Sequence, residues 1–369
     1  MLQHNEISAR EILDKKIEFL NETRRYELMI EQAMEGLKDY PDDPSLLYNI
    51  ALAYRKLNQN EPAKAYIEKA LSLDPESFDK HLLYGGILMF LGDYQNSARE
   101  FEAAISLRPD RWEGYERYAM LLMGINLNNA EKAASLLSKA VELNPSDALI
   151  HTHLAEVLTE LGRVDEAENE YKVSLELLPE YETFANYALF MTRQGKLQEA
   201  NPIYKAALTM APDSQIVHNY KEIMDRCNAD ERYYIEVVEE YWIRVLANNI
   251  KFPEAHLKLA EFYMKHKRNF DAMKEFKEYL KKRSMDLETK LMYGECMHHI
   301  GKENEASDYF CKLKVEYPDN PEILEYVEKY CKHAGAAPKR KLSKPGLFIA
   351  AVTLLIGIIV YTLILLNNN

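Results

Sequence analysis

Two series of small residues run through this chain at nearly the same interval. They constrain its fold more than any compositional number does. The first is Ala51, Gly85, Ala119, Ala155, Ala188, Ala260 and Gly294, spaced 34, 34, 36, 33, 72 and 34 residues apart. The second is Ala63, Ser97, Ala133, Ala167, Ala200, Ala272 and Ala306, spaced 34, 36, 34, 33, 72 and 34. A fixed period of this length means stacked supersecondary units, none of which can bury its apolar face alone. The double-length gap common to both series leaves room for one divergent unit.

The clearest unit is "PSLLYNIALAYRKLNQNEPAKAYIEKALSLDP", residues 44–75. Leu47, Ile50, Ala51 and Tyr54 fall at i, i+3, i+4 and i+7, one face of a first helix. Ala63, Ile67 and Ala70 face back from a second. Asn58 holds the turn position that Gly92, Gly162, Gly195 and Gly301 hold in sister units, a place that needs a left-handed backbone. Pro75, Pro109, Pro145, Pro179, Pro212 and Pro318 close successive units. The small residues let antiparallel helices approach, and Phe101, Tyr171, Tyr204, Phe276 and Phe310 fill the space beside that contact.

These units resemble tetratricopeptide repeats, whose period is 34 residues. The resemblance implies an all-α, right-handed superhelical solenoid of about nine helical hairpins. The expected organisation is a degenerate opening unit at 1–43, five repeats at 44–214 and a divergent helical unit at 215–252. Two repeats at 253–320 and a capping helix at 321–333 follow, with Asn320 and Pro321 suited to N-cap and first position. In the divergent unit, "ERYYIEVVEEYWIRVLANNI" reads as one long helix with Val237, Tyr241 and Val245 in the core. The unit at 112–147 carries two extra residues near "GINLNNAEKA".

The resemblance also implies a concave surface lined by the first helices, which binds a partner's peptide or helix. Its inward positions are expected to be the residue after the second core position and those one turn either side. In the early units these are Tyr48, Leu52, Leu82, Gly86, Met89, Phe90, Met120 and Met123. Later units supply Thr152, Glu156, Glu160, Glu182, Glu254, Glu261, Glu288 and Glu295. The channel is therefore expected to run from apolar and Met-rich to acidic, fitting a partner segment that is apolar and basic. Repeats of this family that grip acidic chaperone tails use inward Lys, Asn and Arg. Tyr48, Leu52, Leu82 and Gly86 stand there instead, so acidic tails are not expected as ligands.

The chain ends "KRKLSKPGLFIAAVTLLIGIIVYTLILLNNN". Leu347–Leu366 is uninterrupted and uncharged, enough for a helix of roughly 30 Å, the hydrocarbon thickness of a bilayer. A transmembrane helix is expected here, and the end resembles that of tail-anchored proteins inserted after translation. Lys339, Arg340, Lys341 and Lys344 precede the span and only Asn367, Asn368 and Asn369 follow. That asymmetry predicts a single-pass protein with its N-terminal body in the cytoplasm. Residues 334–346 form a basic linker able to touch anionic headgroups.

Charge narrows the partners further. The net charge is −13, and removing the four bases of the tail leaves −17 on residues 1–338. So acidic a body repels a phosphate backbone, and nucleic acid is not an expected partner. Cys227, Cys296, Cys311 and Cys331 form no C-x-x-C pair and indicate no disulfide framework. Cys296, His298, His299 and Cys311 do not complete a tetrahedral set, so no metal or other cofactor is expected. No phosphate-cradling glycine loop, H-E-x-x-H or G-x-S-x-G is present, and no catalytic residue is assigned. The expectation is a non-enzymatic, membrane-tethered scaffold or adaptor. The alternative is a receptor or assembly factor that captures clients for delivery to the membrane.

Overall fold

The structure is a computed structural model, and it describes residues 8–125, 129–248 and 253–331. Nineteen α-helices follow one another among these residues, with no strand among them. They divide between two compact units, Met1–Leu259 and Ala260–Asn369.

The first unit begins with hairpins α1 (Ala9–Glu22) and α2 (Tyr26–Asp39), α3 (Pro44–Lys56) and α4 (Asn60–Leu73), and α5 (Phe78–Leu91) and α6 (Tyr94–Leu107). It continues with α7 (Trp112–Ile125) and α8 (Ala130–Leu143), α9 (Ala148–Glu160) and α10 (Val164–Leu177), and α11 (Tyr181–Arg193) and α12 (Leu197–Met210). The divergent segment forms α13 (Gln215–Ala229) and α14 (Glu231–Asn248), and α15 (Glu254–Lys265) runs across the boundary. The second unit carries α16 (Asn269–Lys282), α17 (Leu287–His299), α18 (Glu303–Glu316) and α19 (Pro321–Tyr330).

The two small-residue series lie at the helix–helix contacts. All five alanines of the first series and all six of the second are fully buried, as is Ser97. A Cβ built on Gly85 would stand 2.7 Å from the Phe101 ring, and one on Gly294 would run into Phe310. The second-helix aromatic thus occupies the volume that the first-helix glycine vacates. Asn58, Gly92, Gly162, Gly195 and Gly301 all have positive φ, as the intra-unit turn requires. Arg24 and Lys267 take the same conformation in the first and eighth hairpins, where no glycine or asparagine marks the turn.

Helix starts are chemically specified. The Asp43 carboxylate accepts from the Ser45 and Leu46 amides at 2.8 and 3.0 Å, and Asn320 accepts from Ile323 at 3.1 Å. Both satisfy amides that a helix start leaves unpaired, and a proline follows each at the first helical position. Between units, the closing-proline carbonyls of three successive turns are met by a side chain six residues on. His81 meets Pro75 at 2.8 Å, Tyr115 meets Pro109 at 3.1 Å and His151 meets Pro145 at 3.1 Å.

The divergent unit departs from the expected register. Tyr234, Val238, Tyr241, Trp242 and Val245 are buried along α14, whereas Val237 is only half-buried. The stripe follows the 3.6-residue period through Val238, so Val237 sits at its edge. No helix among the described residues is long and apolar enough to cross a membrane. The basic linker at 334–346 and the span at 347–366 lie outside the described residues.

Candidate functional site

Most of the positions expected to face inward in the early units are half-buried. Tyr48, Leu52, Leu82, Met89 and Met120 are each half-buried. Leu52 packs on the cluster around Ile17, Met29 and Ile50, and Tyr48 on the one around Leu47 and Ile67. Burial is the main reason the Tyr48 hydroxyl is pushed up to about 12. Phe90 is 57% exposed, with the Arg55 guanidinium 3.7 Å above its ring.

Further along the first unit, α9, α11 and α13 line an open cavity of about 650 Å³. α9 contributes Glu156, Thr159 and Glu160, and Met123 of α7 joins them. α11 contributes Glu182, Asn186, Leu189, Phe190 and Arg193, while α13 adds Ile216, Tyr220 and Ile223. Tyr171 of α10 and Arg244 of α14 complete the lining. Four of the positions expected to face a partner, Met123, Glu156, Glu160 and Glu182, are brought together here.

The two α9 carboxylates have different surroundings. Glu160 faces Arg244 Nη2 at 3.0 Å and Arg193 Nη1 at 3.8 Å, so two guanidiniums hold it from inside the fold. Glu156 has only a neutral hydrogen-bond donor. The Asn186 amide donates to it at 2.5 Å, and the Tyr220 hydroxyl donates to Asn186 Oδ1 at 2.8 Å. Burial raises the Glu156 carboxyl above the usual carboxylate range. The Glu182 and Glu160 charges add to that rise, and His153 opposes it. His153 in turn lies 3.2 Å from the buried Glu116. Glu156 is therefore a desolvated acid with no cation in contact among the described residues, beside the exposed carboxylate of Glu182.

α14 closes one side of this cavity. The buried Tyr241 hydroxyl donates to the Thr159 carbonyl at 2.7 Å, tying α14 to the last turn of α9. Two polar atoms at this closure, Glu160 Oε2 and Arg244 Nε, are buried without a hydrogen-bond partner among the described residues.

Other expected positions fall elsewhere. Thr152 does not face the channel. It is buried, with its hydroxyl 2.7 Å from Ser174 and 3.0 Å from Thr183, because small hydroxyl side chains knit α9, α10 and α11 at that level. Glu254 lines a separate cleft with Arg163, Glu166 and Lys258. In the second unit, Glu261 is half-buried and Glu288 exposed. Glu295 accepts from the Tyr330 hydroxyl at 2.9 Å and lies 3.4 Å from Lys329, so α19 covers it.

Arg193 and Arg244 are not among the expected inward positions. Leu189 and Arg193 each lie 33 residues beyond Glu156 and Glu160, the Ala155–Ala188 interval, so the repeat spacing does mark them. Nothing comparable marks Arg244, whose unit breaks the period.

Comparison with known families agrees with this architecture. Tetratricopeptide repeat models match residues 44–77 and 81–111, and a second model of that description matches 125–186. These segments are tetratricopeptide repeats. Among curated proteins, FlbA of Caulobacter vibrioides is 29% identical over 133 residues, covering 36% of this chain and 22% of FlbA. DnaJ homolog subfamily C member 3 of Bos taurus is 29% identical over 101 residues, covering 27% of this chain and 20% of that protein. The chain thus spans about a fifth of the length of these relatives. Similar solved structures include YrrB, described as a TPR protein with an unusual peptide-binding site. It has a TM-score of 0.42 and 21% identity, over 52% of this chain and 97% of YrrB. A thermophilic TPR protein of Thermus thermophilus has a TM-score of 0.43 and 22% identity, over 49% of this chain and 98% of that one.

Proposed function

We propose that this protein is a membrane-tethered interaction scaffold whose α9–α11–α13 cavity takes a basic residue flanked by apolar ones. The observation that carries the reading is Glu156, half-buried and raised, with no cation in contact among the described residues. A carboxylate kept in that state costs stability in the empty protein, and an incoming Lys or Arg offsets the cost. Leu189, Phe190, Ile216 and Ile223 supply apolar wall for the flanking residues. The apolar stretch at 347–366, with its basic flank, holds this surface at a membrane facing the cytoplasm.

Two measurements test the two halves. Full-length protein in detergent is titrated with a synthetic peptide carrying one Arg between leucines, and with the same peptide carrying Glu instead. Binding of the Arg peptide is expected to weaken roughly tenfold in Glu156→Gln and to be unchanged in Glu288→Gln. Equal binding of both peptides, or indifference to Glu156→Gln, sinks the site. For the tether, full-length protein is expected to float with liposomes and a version ending at residue 346 to stay behind. Flotation of the shortened version refutes it.

A further inference from the structure

We propose that Cys311 and Cys331 form a dithiol site that a low-molecular-weight disulfide of the glutathione class oxidises to an intrachain cystine, fixing the end of α19 on α18. The two sulfurs lie 3.1 Å apart, in direct contact, and belong to different helices. Cys311 is on α18, and Cys331 is the C-cap residue of α19, with extended backbone at φ −99° and ψ 93°. The Cys331 thiol also lies 3.3 Å from the Ser307 carbonyl, so it rests over the turn of α18 that leads to Cys311. Cys331 is buried in the cluster of Phe310, Leu313, Ile323, Val327 and Tyr330, and Cys311 packs half-buried at its edge. The cluster holds both sulfurs in place, so little movement separates the dithiol from the bonded pair.

The access pattern orders the reaction. The Cys311 thiolate, on the half-buried side, attacks one sulfur of the small disulfide. An S–S bond to Cys311 forms, and one low-molecular-weight thiolate leaves. Cys331, having given up its proton to solvent, then attacks the Cys311 sulfur and expels the second small thiolate. Two electrons pass from the cysteine pair to the small disulfide. The protein loses two hydrogens, and two small thiols are produced. Burial, together with the adjacent Cys331, pushes the Cys311 thiol up, so its thiolate is scarce at neutral pH and the first step quickens as pH rises. The same raised pKa makes the Cys311 sulfur a poor leaving group, so opening of the cystine with Cys311 departing is slow.

Cys227 and Cys296 are internal controls. Both are buried and free, and burial pushes their thiols up to about 11 and about 12. Neither has a cysteine at contact distance among the described residues.

The test uses full-length protein in detergent, incubated with oxidised glutathione at neutral and mildly alkaline pH and then alkylated. Before alkylation, intact mass is expected to fall by two hydrogens, faster at the higher pH. Non-reducing peptide mapping is expected to join the Cys311 and Cys331 peptides and leave Cys227 and Cys296 alkylated. Closing the loop between them restricts the unfolded chain, so the midpoint of thermal unfolding rises by about 5 °C and falls back with dithiothreitol. Stable glutathione adducts on Cys311 without cystine, linkage through Cys227 or Cys296, or a covalent dimer each overturn the proposal. So does an inert native protein whose urea-unfolded form reacts. Cys311→Ser and Cys331→Ser are each expected to abolish the linkage at unchanged helix content. Should either variant misfold, the map of the unaltered chain decides alone.

Discussion

Arg244 of α14 and Glu160 of α9, 84 residues apart in the chain, meet at 3.0 Å on the rim of the cavity. The contact bridges three hairpins and makes α14 a wall of the site. Removing the guanidinium leaves a largely buried carboxylate with only Arg193, 3.8 Å away, to answer it. Arg244→Ala is expected to destabilise the first unit by about 1–2 kcal/mol. The double variant with Glu160→Gln recovers most of that loss. Urea unfolding of the four proteins of the cycle measures it, and additive losses contradict the pairing.

The glycine–aromatic contacts predict overpacking. Gly85→Ala puts a methyl 2.7 Å from the Phe101 ring, inside any tolerable contact. A loss of about 1–3 kcal/mol is expected, with Phe101→Leu in the same chain relieving part of it. Gly86→Ala, where a Cβ meets nothing within 4 Å, is expected to be neutral or slightly stabilising through helix propensity. Thermal unfolding of the three variants makes the comparison.

Both contacts bear on how much of the molecule can be read from its sequence. The small residues, the turn positions and Asn320–Pro321 each carry a local stereochemical demand, and each demand has its own signature in the chain. Tyr234, Val238 and Trp242 were harder to place because α14 is apolar over more than one face, which leaves its register open. Thr152 illustrates a second limit. Its place on the helix was legible, but the hydroxyls of Ser174 and Thr183 that draw it inward belong to other helices. Arg244 and the Cys311–Cys331 pair depend wholly on packing between distant segments, for which spacing gives no signal.

His81 adds a pH dependence. Its two ring nitrogens face the Glu100 carboxylate at 2.7 Å and the Pro75 carbonyl at 2.8 Å, both acceptors, so the doubly protonated ring suits the site. The Glu100 hydrogen bond is the largest influence, and the pKa is raised above 6.5. A group with a raised folded pKa binds its proton more tightly in the native state. Its contribution is complete below the ordinary histidine value and is lost as pH climbs through the raised one. The unfolding midpoint is expected to decline between about pH 6 and 8. In His81→Gln that decline is shallower, and parallel profiles for the two proteins refute the assignment.

Glu156 joins stability to binding, and the two should move in opposite directions. Its raised carboxyl means that ionisation is disfavoured in the folded state, chiefly by burial. The sign is the same as for His81. The native state holds the proton more tightly, so stability falls as pH rises above the ordinary carboxylate value through the raised one. Glu156→Gln removes the charge while keeping an acceptor for the Asn186 amide, and at neutral pH it is expected to stabilise the empty protein by about 1 kcal/mol. The same change deletes the countercharge for a partner's Lys or Arg, so affinity for the Arg peptide drops. A residue that served only packing would lose stability and leave binding alone. Measuring unfolding and peptide affinity on one preparation of Glu156→Gln separates these cases, because only a binding carboxylate trades one quantity for the other.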